Sequence, residues 1–304
     1  MSFRVLAVGL NPVMQKTLIL EHLWENEVNR SSRYYLTVAG KGANTARVLT
    51  ELGVPAMHLT HGGGIHRDLF LSLLHGDDIK LQCIDSESEI RLCYTLINEE
   101  RHTVTEIVEE ALPVAEKTDG LMREAYLSLL EKTDYVTISG TTAAGYSKDI
   151  VPWMTMQASK AGKRVILDVK GNELLHSVEH HPFIITPNMK EFLETLFPDA
   201  KFREHGSDEE LAFAKEKMRE LYCERGIISV LTRGTKSVLS CSGNEVHEFP
   251  IDPVKPVNTI GSGDAFTAGL TCGISRNMPL DAAIKLAAEC GRKNALNIKP
   301  GTIL

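Results

Sequence analysis

The chain has 304 residues, 43% of them hydrophobic and 24% charged, enough to bury a large core as an α/β domain. Its 33 basic residues stand against 40 acidic ones for a net charge of −7, and no lysine or arginine run is dense enough for a nucleic-acid footprint. An anionic ligand must therefore be caught by a local site, since the global field repels it.

"MSFRVLAVGLNPVMQ" is too short in its apolar run for a secretory signal, and no segment holds the 18 or so apolar residues of a membrane span. A cytoplasmic protein without membrane or nucleic-acid partners is expected. Six cysteines without CxxC spacing read as reduced packing thiols.

In chain order, "RVLAVGL" (4–10) reads as a buried strand, 43–53 as a helix stopped by Gly53, "PAMHLTH" as a strand and "IHRDLFLSLLHG" as a helix. The alternation resumes with "DYVTISG" (strand), "VPWMTMQASKAG" (helix), "RVILDV" (strand), "PFIITP" (strand) and "NMKEFLETLF" (helix). It continues with "SDEELAFAKEKMRELYCERG" (helix), "IISVLTRG" (strand), "DAFTAGLTCGIS" (helix) and 280–298 (helix). βαβ order implies a mostly parallel sheet with helices on both faces. Residues 12–38 and 88–108 instead alternate apolar and polar positions and read as antiparallel strands of a small lid sheet over the carboxyl edge, where α/β proteins bind ligands. One domain, 1–304, with an inserted lid is expected.

"NTIGSGDAFTAG" (258–269) places Gly261, Ser262 and Gly263 before an apolar helix, with Asp264 in its first turn. Bare backbone N–H groups at a helix N-terminus suit a phosphate, and a carboxylate there can orient an attacking hydroxyl. Taken alone, the stretch also fits an ordinary glycine turn with a charge at a helix start. It matches neither GxxxxGK[ST] nor GxGxxG. "AGKGANTAR" (39–47) is a second glycine turn opening a helix, holding Lys41 and Asn44. Asn188 and Glu191 in "TPNMKEF" lie on one face at a helix start; they fit a capping box and equally a hold on Mg²⁺ and its waters. His58, His61 and His66 make no persuasive metal set, because the first two project from opposite faces of a strand.

These residues resemble the PfkB (ribokinase-like) carbohydrate kinases, in the branch that includes 1-phosphofructokinase and tagatose-6-phosphate kinase. The two glycine signatures carry the resemblance, and "GLNPVMQKT", "ENEVNR", "SGT", "TPNMKE", "LTRG" and "NALNIKPGTI" follow in family order over essentially the whole chain. It implies a three-layer α/β/α core with a β-sheet lid, ATP and Mg²⁺ as cofactors, and phosphorylation of a sugar phosphate. Asp264 becomes the base, and the backbone of Gly261, Ser262 and Gly263 the anion hole. Asn188 and Glu191 become the metal and phosphate pair, acting through water. Thr232, Gly234 and Asn294 become nucleotide contacts, Asn294 where the family closes around adenine. Asn44 becomes a sugar-hydroxyl contact, and Arg30, Lys41 and Arg91 the cations for the substrate's phosphate.

The departures fall on the acceptor side. Gln15 stands for the aspartate of NPALD, Ala39 for a glycine, and Cys93 and Val108 for asparagines. Phosphorylation of an unphosphorylated sugar or nucleoside is the alternative, and a catalytically quiet ligand sensor is a third reading. The alternating residues Leu18, Ile19, Leu20, Leu36 and Val38 suit the lid to a homodimer contact.

Overall fold

The computed structural model of the chain describes residues 3–202 and 206–304. It opens with β1 (Val5–Val8), β2 (Val13–Leu20), β3 (Arg33–Ala39), α1 (Lys41–Glu51), β4 (Ala56–Gly62) and α2 (Arg67–Gly76). Next come β5 (Leu81–Asp85), β6 (Leu92–Asn98), β7 (Thr103–Val108), α3 (Lys117–Leu130), β8 (Tyr135–Ser139), α4 (Ile150–Lys160) and β9 (Arg164–Asp168). Then follow α5 (Gly171–Ser177), β10 (Ile184–Ile185), α6 (Met189–Leu196), α7 (Asp208–Arg225) and β11 (Ile228–Leu231). The chain closes with β12 (Val238–Cys241), β13 (Val246–Phe249), α8 (Ser262–Ser275) and α9 (Leu280–Ala295).

Nine strands form the main sheet in the order β13-β12-β11-β10-β9-β8-β1-β4-β5, parallel except for the β12–β13 hairpin at one edge. Both faces of its central strands are covered, which is why β1 and the middle of β9 read as continuous apolar runs. Alternate residues of β1 separate the two cores. Val5 and Ala7 pack with Val48 and Leu49 of α1, Phe70 of α2 and Leu270 of α8; Leu6 and Val8 pack with Met122 of α3, Met154 of α4 and Phe192 of α6. The result is the expected three-layer α/β/α core. Among the described residues no helix is long and apolar enough to cross a membrane.

Several elements lie outside the periodicity reading: β5, β12, β13, α3 and α5. The strands among them have only four or five residues, too few for alternation to stand out, and the buried face of α3 begins with a polar residue, Thr118.

The second sheet has the order β3-β2-β6-β7 and is the expected lid in position. Its central pairing corrects the antiparallel expectation, because β2 and β6 run parallel. Both insertions leave the core sheet from the same carboxyl edge, after β1 and after β5, so their leading strands point the same way and β3 and β7 return antiparallel. The lid's dimer residues divide as well. Ile19, Leu20 and Val38 are buried within the chain, whereas Leu18 and Leu36 share the outer face with Tyr34 and Ile107, which are 58% and 54% exposed.

Candidate active site

Two helix N-termini meet at the carboxyl edge below the lid. α1 starts after Gly40 (φ 94°) and α8 after Gly261 (φ 82°), conformations that a side chain rarely adopts. Neither N-cap residue offers a capping side chain, so the first-turn N–H groups are left for something outside the helix. Gly42 is required by closeness: a Cβ there would lie 2.5 Å from Gly9 Cα, where α1 crosses the end of β1.

Gly263 is different. A Cβ on it would meet nothing within 4 Å, and its φ is ordinary, so no part of the chain requires glycine there. Alanine would favour the helix by roughly 1 kcal/mol. What the missing methyl leaves is open space at the first-turn amides, which an anion could enter.

The cleft between the lid and these helices encloses about 430 Å³. Asp264, 6% exposed, faces it and accepts a hydrogen bond from Asn44 Nδ2 at 2.7 Å. Burial pushes its carboxyl from the ordinary 3.8 up to about 6; Lys41 pulls it down, Asp168 adds to the rise, and Asn44 and Arg47 lower it. Lys41 Nζ donates to both oxygens of Asp168, at 3.1 and 3.2 Å, and the adjoining carboxylate holds the ammonium well above the usual lysine range. One permanent cation thus sits within the field of Asp168, Asp264 and Glu191. His58 lines the floor and donates from Nδ1 to Ala7 O at 2.9 Å; burial pushes it down to about 4, so it is neutral.

Polar atoms wait on this cleft. Asn11 Oδ1, Ser139 Oγ and Arg91 Nε are buried with no partner among the described residues, which suits a hydroxyl-rich ligand. A second cavity of about 430 Å³ lies beyond α6, lined by Asn188, Thr232, Arg233, Gly234 and Lys236. Between the two, Asn188 and Glu191 form a complete capping box: Asn188 Oδ1 accepts from Glu191 N at 2.8 Å, and Glu191 Oε2 from Asn188 N at 3.1 Å. Glu191 Oε1 faces Lys170 Nζ at 3.5 Å.

Comparison with known proteins identifies the family of the chain. The model of the pfkB family carbohydrate kinases matches residues 4–302. The chain belongs to that family. It resembles phosphofructokinase-2 from Escherichia coli, solved with substrates and products, at a TM-score of 0.87 and 21% identity over 97% of this chain and 94% of that one. A Thermotoga maritima protein described as a possible 1-phosphofructokinase gives 0.84 at 22% identity, covering 98% and 94%. Ribokinase from the same organism gives 0.72 at 18% identity, covering 98% and 95%. The protein is a sugar kinase, a phosphotransferase.

Among the residues singled out from the sequence, Gln15, Lys41, Asn44, Arg91, Glu191, Gly261, Gly263 and Asp264 converge on the cleft under the lid. Ser262 opens α8, and Thr232 and Gly234 line the second cavity with Asn188. Two expectations are corrected. Arg30 is exposed in the loop between β2 and β3 and does not line the cleft. Asn294 is fully buried: it donates to Ile260 O and Ser262 Oγ and accepts from Gly301 N and Thr302 N, bracing the turn before Asp264 with no side-chain polar atom left for adenine.

Residues the sequence reading missed are Lys170, Arg47, Asn11 and Ser139. Arg47 had a signal, since it lies three residues from Asn44 and therefore on the same helix face. The four acceptor-side departures prove to be neighbours. Gln15, Cys93 and Val108 pair across β2, β6 and β7 in one row, and Val13 pairs with Ala39 beside them, all on the cleft wall.

Gly42→Ala and Gly263→Ala should part company. The first should cost about 1 to 3 kcal/mol in urea unfolding, since backbone must shift; the second should fold as well as the parent yet lose about a hundredfold in kcat, its methyl filling the anion space. Asp264 carries a further consequence. Because its folded-state value is raised, its contribution to stability is complete below about pH 4 and lost as pH rises through about 6. Asp264→Asn should therefore melt higher than the parent at neutral pH, by the equivalent of about 2 to 3 kcal/mol, with the gap closing toward pH 4; an unchanged melting temperature at pH 7 would contradict this.

Proposed function

We propose that the enzyme transfers the γ-phosphoryl group of ATP, with Mg²⁺, to a hydroxyl of a sugar phosphate, and that Asp264 is the base. The observation that carries the reading is a buried carboxylate beside the open space left by Gly263, at the N-terminus of α8. In this scheme the acceptor hydroxyl lies against Asp264, and its oxygen attacks the γ-phosphorus in line. The bond to the bridging oxygen of ADP breaks, and the hydroxyl proton passes to the carboxylate. A group near 6 is ionised at neutral pH yet basic enough to take that proton late in the transfer.

The first-turn amides of α8 stabilise charge on the transferred group, and Lys41 adds a cation held in place by Asp168. Magnesium supplies charge neutralisation for the phosphates. Because Asn188 Oδ1 is spent on the capping box, Glu191 Oε1 is the oxygen suited to hold the ion's water shell. The second cavity, with Arg233 and Lys236, suits the rest of the nucleotide. The chain works here as one catalytic unit, its small sheet serving as the lid.

A second reading has its own support. Of the three cations assigned to the acceptor's phosphate, Arg30 is outside the cleft and Lys41 is engaged by Asp168, while Glu106 joins Arg91 on the lid wall. The neutral row of Gln15, Cys93 and Val108 adds no charge there. An unphosphorylated sugar fits these features.

A copy-to-copy contact is proposed on the outer lid face, where Leu18, Tyr34, Leu36, Tyr94, Leu96 and Ile107 share one side. Escherichia coli phosphofructokinase-2 has a tetrameric inhibited form. Sedimentation should show a dimer that Leu18→Glu dissociates; a monomeric parent chain would refute the contact.

ADP release, followed by a coupled assay over fructose 1-phosphate, tagatose 6-phosphate, fructose 6-phosphate and unphosphorylated sugars, tests the function. Turnover of a phosphosugar should fall below about pH 6 as Asp264 is protonated, and Asp264→Asn should abolish it. Arg91→Ala should raise the KM for a phosphosugar by about tenfold or more; an unchanged KM, with a neutral sugar the better substrate, selects the second reading.

A further inference from the structure

Arg47 is a buried cation without an assigned task. It is 2% exposed, yet its guanidinium meets four acceptors from four parts of the chain. Nε donates to Asp77 Oδ2 at 2.7 Å, after α2. Nη1 donates to Asn44 Oδ1 and to Pro300 O, both at 3.1 Å, and Nη2 donates to Val38 O at 2.6 Å, near the end of β3.

The contact with Asn44 bears on the reaction. An asparagine amide has two ends of nearly equal size, and which one faces a neighbour is decided by what meets the other. Arg47 has donors only, so it takes the amide oxygen. That leaves the Asn44 NH₂ group turned to Asp264 Oδ2, 2.7 Å away. A reversed amide would set oxygen against carboxylate and NH₂ against guanidinium, two repulsive contacts at a buried place.

Val38 gives the second half. Its carbonyl belongs to the strand that returns from the lid into α1 through Ala39 and Gly40, so the guanidinium grips the lid at its root. The same group therefore touches the lid root and, through one amide, Asp264.

We propose that Arg47 is a positioning residue for phosphoryl transfer, fixing the Asn44 amide on Asp264 and tying the setting of that carboxylate to the root of the lid. The proposal rests on Asp264 being the base. The charged groups facing Asp264 are Lys41 and Arg47 from α1 and Asp168 from β9, with the Asn44 amide beside them. Removing Arg47 takes away one cation and frees the amide, so the carboxylate is protonated more easily.

Arg47→Gln and Arg47→Lys, in the full chain, provide the test through kinetics over the acid range alongside thermal unfolding. Lysine keeps the charge and much of the buried stem but cannot meet four acceptors at once. For Arg47→Gln, kcat should fall about tenfold and the acid limb move up by about one pH unit, with both KM values within a factor of about three. Arg47→Lys should show a similar loss in kcat with a smaller shift of the limb. A folded Arg47→Lys with the parent kcat and acid limb overturns the proposal, and it decides alone if Arg47→Gln does not fold. Asp264→Asn is measured in parallel. If it turns over normally, the base assignment fails and the proposal with it; if it is inactive while Arg47→Lys behaves as the parent, only the positioning role fails.

Discussion

A carboxylate taken out of water is held ionised only by what faces it, and this enzyme places such a group where its two glycine-capped helices meet. Asp264 has Lys41 and the Asn44 amide from α1 against it, while burial and Asp168 press toward protonation. Moving α1 by an ångström would leave a buried charge unmatched. The close crossing of Gly42 over Gly9 therefore helps set the electrostatics of Asp264 as well as the packing.

The C-terminal segment braces that arrangement from behind. Gly301 lies so near Asn44 that a Cβ would come within 2.5 Å of the Asn44 Cβ, and Gly301 N donates to Asn294, which also donates to Ile260 O in the turn before Asp264. Lys299 pairs with Asp77, the carboxylate that Arg47 also holds, and Ile303 N donates to Glu51 of α1. Residues more than 200 positions apart thus fix one another, and the lid root joins them through Val38. Under the proposed roles, the open space at Gly263 and the buried carboxylate of Asp264 each forgo stability that alanine and asparagine would supply.

How much of this was legible followed from how local each signal is. Long amphipathic helices such as α7 and α9, and buried strands such as β1 and β9, declare themselves within one segment. The four-residue strands of the β12–β13 hairpin do not, and the parallel pairing of β2 with β6 depends on where both insertions leave the core. In the site, glycine turns and Asp264 were legible because backbone conformation and first-turn charge are local properties. Arg30 and Asn294 were misplaced because order along the chain says nothing about exposure or about competing partners.

The sequence by itself determined the α/β class, the two bare helix N-termini, the candidate base and the acceptor-side departures, since each rests on periodicity, glycine content or motif order within a short stretch. Tertiary structure alone decided that Lys41 is tied to Asp168, that Gln15, Cys93 and Val108 make one wall, and that Arg47 reaches from the lid root to Asn44. The reason is physical. Electrostatic and hydrogen-bonding partners are chosen by distance in space, and in this fold those distances are closed by a sheet that orders its strands differently from the chain.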